Sequence, residues 1–202
     1  MKKANILCIS LFLVSLTSTA RRIDVSPMVG YFFDEKFATV QGSVNIRQGM
    51  FYGGILSVGT NMDALAAELQ VMTREGTLDI TRNDTTSTLV MRSTWISLNG
   101  CYEFDLDAPA MPFLDLGMGL VNLDPQESSR SSENRFALNI GVGMKVAFSD
   151  RVGLRLSAKL LTTMNESTAF ESEDGEAAYT VNKMTYVNQF GFRGGIYIRL
   201  AE

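Results

Sequence analysis

The chain has 202 residues, a formal net charge of −4 and no histidine. The length suits one domain, and the acidic balance excludes a nucleic-acid partner, which needs a basic surface. Without histidine, Ser-His-Asp hydrolysis and histidine-dependent acyl transfer are excluded, and any metal site loses its imidazole ligands.

Residues 1–20, MKKANILCISLFLVSLTSTA, begin with Lys2 and Lys3 and continue in an apolar run from Ile6 to Leu16. They close on small Ser18 and Ala20, the −3 and −1 positions of a cleavage site. This is the anatomy of a secretory signal peptide, and the run is too short for a spanning helix. The expected division is therefore 1–20 signal peptide and 21–202 exported domain. Cleavage removes Lys2 and Lys3 and lowers the formal net charge from −4 to −6. Cys8 follows bulky Leu7, which argues against lipidation, and the mature chain keeps only Cys101. One cysteine builds neither an intramolecular disulfide nor a thiolate metal site.

After residue 20 the pattern has period two, the signature of strands. Eight strands are predicted, near 23–34, 49–60, 64–74, 90–104, 111–123, 135–148, 151–163 and 185–200. Three connections are short: Asn61-Met62-Asp63, DLDAPA, and Ser149-Asp150. The other four are long and polar: DEKFATVQGSVNIRQ, REGTLDITRNDTTST, DPQESSRSSEN and NESTAFESEDGEAAYTVNKM. Short and long alternate without exception, as in transmembrane barrels with periplasmic turns and extracellular loops. GSVNI could extend the wall above the membrane, and TREGTLDIT alternates enough to prolong its hairpin into an edge able to recruit a partner strand.

The two faces of the strands differ in bulk. In 135–148, Phe136, Leu138, Ile140, Val142, Met144, Val146 and Phe148 alternate with Ala137, Asn139, Gly141, Gly143, Lys145 and Ala147. A soluble carrier barrel would turn the apolar face inward and crowd its wet exterior with long polar residues. Here the second face is mostly Gly, Ala, Ser and Asn, which suits a narrow eight-stranded lumen. The apolar face therefore points to acyl chains, and closing the sheet removes its unpaired edges. Tyr31, Phe33, Tyr52, Phe136 and Tyr186 fall near the long-loop ends, and Tyr102, Phe104 and Phe148 near the short-turn ends. Two such aromatic girdles mark the two membrane interfaces. The fold class is all-β: a closed eight-stranded antiparallel up-and-down transmembrane β-barrel.

IDVSPMVGYFF, GSVNIRQGMFYGGILSVG, LAAELQV, MPFLDLGMGL and above all NIGVGMKVAFSDRVGLRL carry a family likeness. Across essentially the whole mature chain the sequence resembles the small eight-stranded outer-membrane β-barrels of Gram-negative bacteria, the OmpA-transmembrane-domain-like or porin family group. The resemblance implies an outer-membrane location. It implies partners in outer-membrane lipid, lipopolysaccharide and the assembly machinery, and roles such as adhesion, host contact, envelope integrity or slow diffusion. Relatives commonly finish on an aromatic residue read during assembly; this chain finishes GIYIRLAE, with Tyr197 as the stand-in. No counterpart of OmpA's peptidoglycan-binding domain after the barrel is expected.

On the second face, Asp24, Glu68, Glu103 and Asp115 come from strands 1 to 5, and Lys145, Arg155, Lys159, Arg193 and Arg199 from strands 6 to 8. Depth counted from the short turns sets Asp115, Lys145 and Arg155 at similar levels, with Asp24 and Arg199 meeting at the closure. These charges form a paired ionic plug, because unpaired charges in a tight space are costly. The competing reading is a constriction tuning passage of ions or small solutes. Eight strands leave little room for a water column, which favours the plug. A carboxylate pair such as Glu68 with Asp115 could in principle do acid–base work. No catalytic residue, cofactor site or metal site is expected. The fourth long loop sets Glu166, Glu171, Glu173, Asp174 and Glu176 against Lys183, a solvated face without the spacing of an EF-hand. The expected role is structural, with loops presented to a surface partner; the alternative is a narrow passive porin.

Overall fold

A computed structural model describes residues 22–39, 42–60, 62, 64–82, 85–106, 109–126, 132–165 and 185–201. The expected signal peptide, its boundary at residue 21 and the acidic stretch 166–184 lie outside the described residues.

Alternation of β-branched, aromatic and small residues produces ten strands. They are β1 (Arg22–Phe32), β2 (Glu35–Thr39), β3 (Gly42–Ile46), β4 (Gly49–Gly59) and β5 (Leu65–Arg82), then β6 (Thr85–Glu103), β7 (Ala110–Pro125), β8 (Glu133–Ala147), β9 (Val152–Asn165) and β10 (Thr185–Ala201). All pairings are antiparallel, in the order β2-β3-β5-β4-β1-β10-β9-β8-β7-β6, and β5 with β6 closes the ring. The wall is the predicted eight-stranded barrel, because β2 and β3 only prolong β1 and β4.

The prolongation is visible in the register. β1 runs along β4 from Arg22↔Gly59 to Phe32↔Gly49. β2 runs along β3 from Glu35↔Ile46 to Thr39↔Gly42, in unbroken continuation. Along β5 the pairing passes from Tyr52↔Thr73 to Ile46↔Leu78, so residues 47–51 face 74–77 and one extra residue is absorbed as a bulge. The Arg47 amide still donates to the Thr77 carbonyl, at 3.0 Å.

Two of the four long connections are thus mostly strand. GSVNI extends the wall as expected, TREGTLDIT prolongs its hairpin as expected, and EKFAT adds a strand that alternation alone did not announce. Threonines and cross-strand charges take over where the apolar alternation stops. Thr81 and Thr86 hydroxyls meet at 3.1 Å, Thr88 Oγ1 donates to Asp79 at 2.9 Å, and Arg92 pairs with Glu75 at 2.6 Å. The result is a four-stranded sheet of β2, β3 and the outer parts of β5 and β6, raised on one side of the barrel.

The short turns lie at the other end. Ser149 and Phe148 amides donate to the Val152 carbonyl at 3.0 Å, and Thr60 Oγ1 donates to the Leu65 carbonyl at 2.8 Å. The apolar face looks outward, with Leu116 63%, Leu120 55% and Val142 56% exposed. These values rule out the inward-turned carrier barrel.

Candidate functional site

The interior is filled in two zones, one ionic and one apolar. Glycines on the lumen face make room for the few large groups. A Cβ at Gly117 would stand 1.6 Å from Asn99 Oδ1, and one at Gly141 would stand 2.6 Å from the Asp115 carboxylate.

Three ionic clusters build the zone nearer the short turns. In the first, Arg22 donates to both Glu103 oxygens at 2.7 Å and reaches Asp24 at 3.0 Å. Lys145 bonds Glu103 and lies 3.9 Å from Asp24, and Arg199 reaches Asp24 at 3.5 Å. In the second, Arg155 grips Glu68 with two parallel bonds of 2.6 and 2.9 Å. The Arg155 guanidinium also lies 4.4 Å from the centre of the Phe113 ring. In the third, Asp115 accepts from Lys159 at 2.9 Å and Arg193 at 3.1 Å.

Gln70 joins this last cluster. Its Oε1 accepts from Lys159 at 2.8 Å, Arg193 at 2.6 Å and Asn99 at 3.1 Å. Asn139 donates to Asn99, and Arg193 Nε donates to Ser157. Two cations therefore share one carboxylate, with an amide oxygen supplying the remaining acceptor.

All nine predicted lumen charges face the interior, and Asp24 meets Arg199 at the closure as expected. The level count is corrected. Lys145 and Arg155 are direct cross-strand neighbours, but Asp115 pairs with Lys159 and Arg193, farther along β9 and β10. Strand tilt and shear displace facing positions around a barrel, so counting from the turns misplaces them. Glu68 and Asp115 are each tied to their own cations, which occupies the carboxylate pair considered for acid–base work.

The second zone is apolar, which the contrast of a bulky outer face with a small-residue lumen does not predict. Phe32, Phe51, Met72, Trp95, Val121, Ala137 and Leu161 form a buried apolar cluster inside the lumen. Phe32 stacks on Phe51 at 4.5 Å and tilts against Trp95 at 5.7 Å. The signal was present as parity: these residues share the face of Asp24, Gln70 and Lys159. A reading that assigns bulk to the lipid side leaves Phe32, Phe51 and Trp95 out of the lumen. Arg22 lies just outside the first predicted strand, and Gln70, which parity sets on the lumen face beside Glu68, has no charge to mark it as part of the network.

All eight predicted aromatics lie on the outer wall. Phe190 and Phe192 join Tyr31 and Phe33 in edge and stacked contacts of 5.2 to 5.9 Å, and Tyr102 meets Phe104 at 4.9 Å at the opposite end. Tyr197 does not belong with them. It is 2% exposed and faces the lumen, with Lys145 Nζ 5.9 Å from its ring, so it cannot present an aromatic to the membrane side. Its odd position between outward Ile196 and Ile198 dictates this. Among the described residues, no three Asp, Glu or Cys side chains converge as metal ligands.

The sequence matches the family of outer membrane protein β-barrel domains over residues 6–193. No curated protein sequence matches the chain. The fold is similar to Neisserial surface protein A, at 13% identity over 87% of this chain and 96% of that one, with a TM-score of 0.59. It is also similar to the outer membrane protein OprG from Pseudomonas aeruginosa, at 10% identity over 91% and 98%, with a TM-score of 0.62. The outer membrane protein AlkL is similar at 12% identity over 91% and 92%, with a TM-score of 0.51.

Proposed function

The chain belongs to the outer membrane protein β-barrel domain family, and from that premise we propose that it is a non-catalytic, non-conducting envelope protein that presents a raised sheet at the cell surface. The observation that carries this reading is the filled interior. Glu68–Arg155 and Asp115–Lys159–Arg193 cross the lumen, and Phe32, Phe51 and Trp95 form a buried cluster beyond them. A conducting barrel keeps a polar, water-lined route.

The two aromatic belts anchor the wall at its interfaces with outer-membrane lipid and lipopolysaccharide. The β2–β3–β5–β6 extension then stands clear of the membrane, where a surface partner can reach it. Export through a cleaved signal peptide and insertion by the assembly machinery complete the scheme, with residues 21–202 as the mature domain.

Single-channel recording of the refolded protein in planar bilayers tests the proposal. Wild type is expected to be silent, and an Arg155→Ala/Lys159→Ala variant to open intermittent steps. Resolved ion steps in wild type that change selectivity in the variant would establish the narrow porin instead.

A further inference from the structure

We propose that the outer mouth of the barrel is a binding site for a small aliphatic anion, a carboxylate carrying a short alkyl tail, with Arg74 as its charge partner. The site is a cup above the aromatic cluster, floored by Trp95 and Val121. Its wall is apolar at Ile46, Leu78, Met91, Leu123 and Val187. Arg74 and Ser93 are cross-strand partners, and Trp95 lies two residues below Ser93 on the same face.

Arg74 is 2% exposed and carries no carboxylate within ion-pair distance among the described residues. One Nη donates to the Arg47 carbonyl at the bulge, and Nε has no partner. Asp34 acts on it only at longer range, and its carboxylate already accepts the Gln48 amide. Two glycines seat the guanidinium: a Cβ at Gly76 would stand 3.1 Å from Nε, and one at Gly49 would stand 3.2 Å away. Trp95 Nε1 is also buried without an acceptor.

Guanidinium and indole N–H groups only donate. Arg74 and Trp95 both line the cup and each carries a buried donor without a partner, while Ser93, Thr163 and Gln189 bring only neutral oxygens; among the described lining residues no anionic acceptor is present. Every other buried cation of the lumen pairs with a carboxylate, and Arg74 has none among the described residues. Charge-assisted bonds to a carboxylate would satisfy it, and the alkyl tail would cover the apolar lining. The cavity measures about 80 Å³. At roughly 10–15 Å³ per water-sized probe, that holds about five to eight non-hydrogen atoms, an acid of about three to six carbons.

Trp95 is the sole tryptophan and reports directly on the cup. The full refolded barrel in a non-ionic detergent is titrated with 2-bromohexanoate, whose bromine quenches a neighbouring indole. Quenching is expected to saturate and to be reversed by hexanoate. Both 1-hexanol, which lacks the charge, and inorganic phosphate, which lacks the tail, should compete at least tenfold more weakly. Arg74→Gln should weaken binding at least tenfold, and Arg74→Lys by only a few-fold, with heat-shifted gel mobility verifying that each variant is folded. Equal competition by 1-hexanol or by phosphate, quenching that rises linearly without saturation, or wild-type affinity in folded Arg74→Gln would overturn the proposal. The comparison of competitors needs only wild-type protein, so it decides the matter even where a variant does not fold.

Discussion

Removing one partner of the Glu68–Arg155 pair should cost far more than removing both. Both side chains are wholly buried, the contact is bidentate, and the guanidinium also covers Phe113. Glu68→Gln leaves a permanently charged guanidinium without its counter-ion, and Arg155→Met leaves a carboxylate in the same position. Stranding a buried charge costs about 3–5 kcal/mol. Arg155→Met also forfeits about 0.5–2 kcal/mol of cation–π attraction. The double variant Glu68→Gln/Arg155→Met strands nothing and keeps similar volume, so its loss should stay within about 2 kcal/mol of wild type, by analogy with apolar replacement of buried ion pairs. The coupling energy of the cycle is then about 3 kcal/mol or more. Urea unfolding of the barrel in lipid vesicles, followed by Trp95 fluorescence and gel mobility, measures each corner. Single losses below about 1 kcal/mol, the range of exposed pairs, would mean that water reaches the pair, and the filled-lumen argument would fail.

Phe51→Ala should destabilise the barrel by about 3–5 kcal/mol, since it empties the space beneath Phe32; a loss under 1 kcal/mol in the same urea assay would show that the aromatic cluster is not packed. Cys101 is 0% exposed in a small cluster with Ala66 and Phe113, so a maleimide should label the mature protein only after denaturation. Labelling of the folded form would contradict that packing. In the raised sheet, the Arg47 hydrogen bond holds the Asp79 carboxyl below its usual range, opposed by desolvation and reinforced by the Thr88 hydrogen bond. A depressed value means that the contribution is present above the ordinary carboxylate pKa of about 3.9 and fades as pH falls through the folded value. Carbon-detected NMR titration of Asp79 should show the midpoint rising in Arg47→Gln, and an unchanged midpoint would dissociate the pair.

Period-two alternation was enough to read the wall, because side-chain parity is fixed by strand geometry. Leu114, Leu116 and Leu120 had to share a face opposite Asp115 and Gly117. The lumen charges followed from the same parity. Their pairing did not, because Glu68 with Arg155 depends on tilt and shear, which no single strand encodes. The inward Phe32, Phe51 and Trp95 were hidden by an assumption about bulk: a narrow lumen can hold large rings when Gly30 and Gly191 stand beside them. The Arg74 cup was illegible for another reason. It depends on a bulge at residues 47–51 that brings the Arg47 carbonyl to the guanidinium, and a bulge has no alternation signature.

The interior contacts also bear on how such a wall comes into being. Glu68 and Arg155 are 87 residues apart in sequence, and Gln70 and Arg193 are 123 apart. Neither half of the molecule can neutralise all of its own hollow, since Glu68 and Glu103 meet Arg155 and Lys145 only from later strands. A partly threaded intermediate would hold lone cations against hydrocarbon, a costly arrangement. Seam joining and charge cancellation therefore coincide, which makes insertion cooperative and leaves a truncated polypeptide no stable resting place in the bilayer.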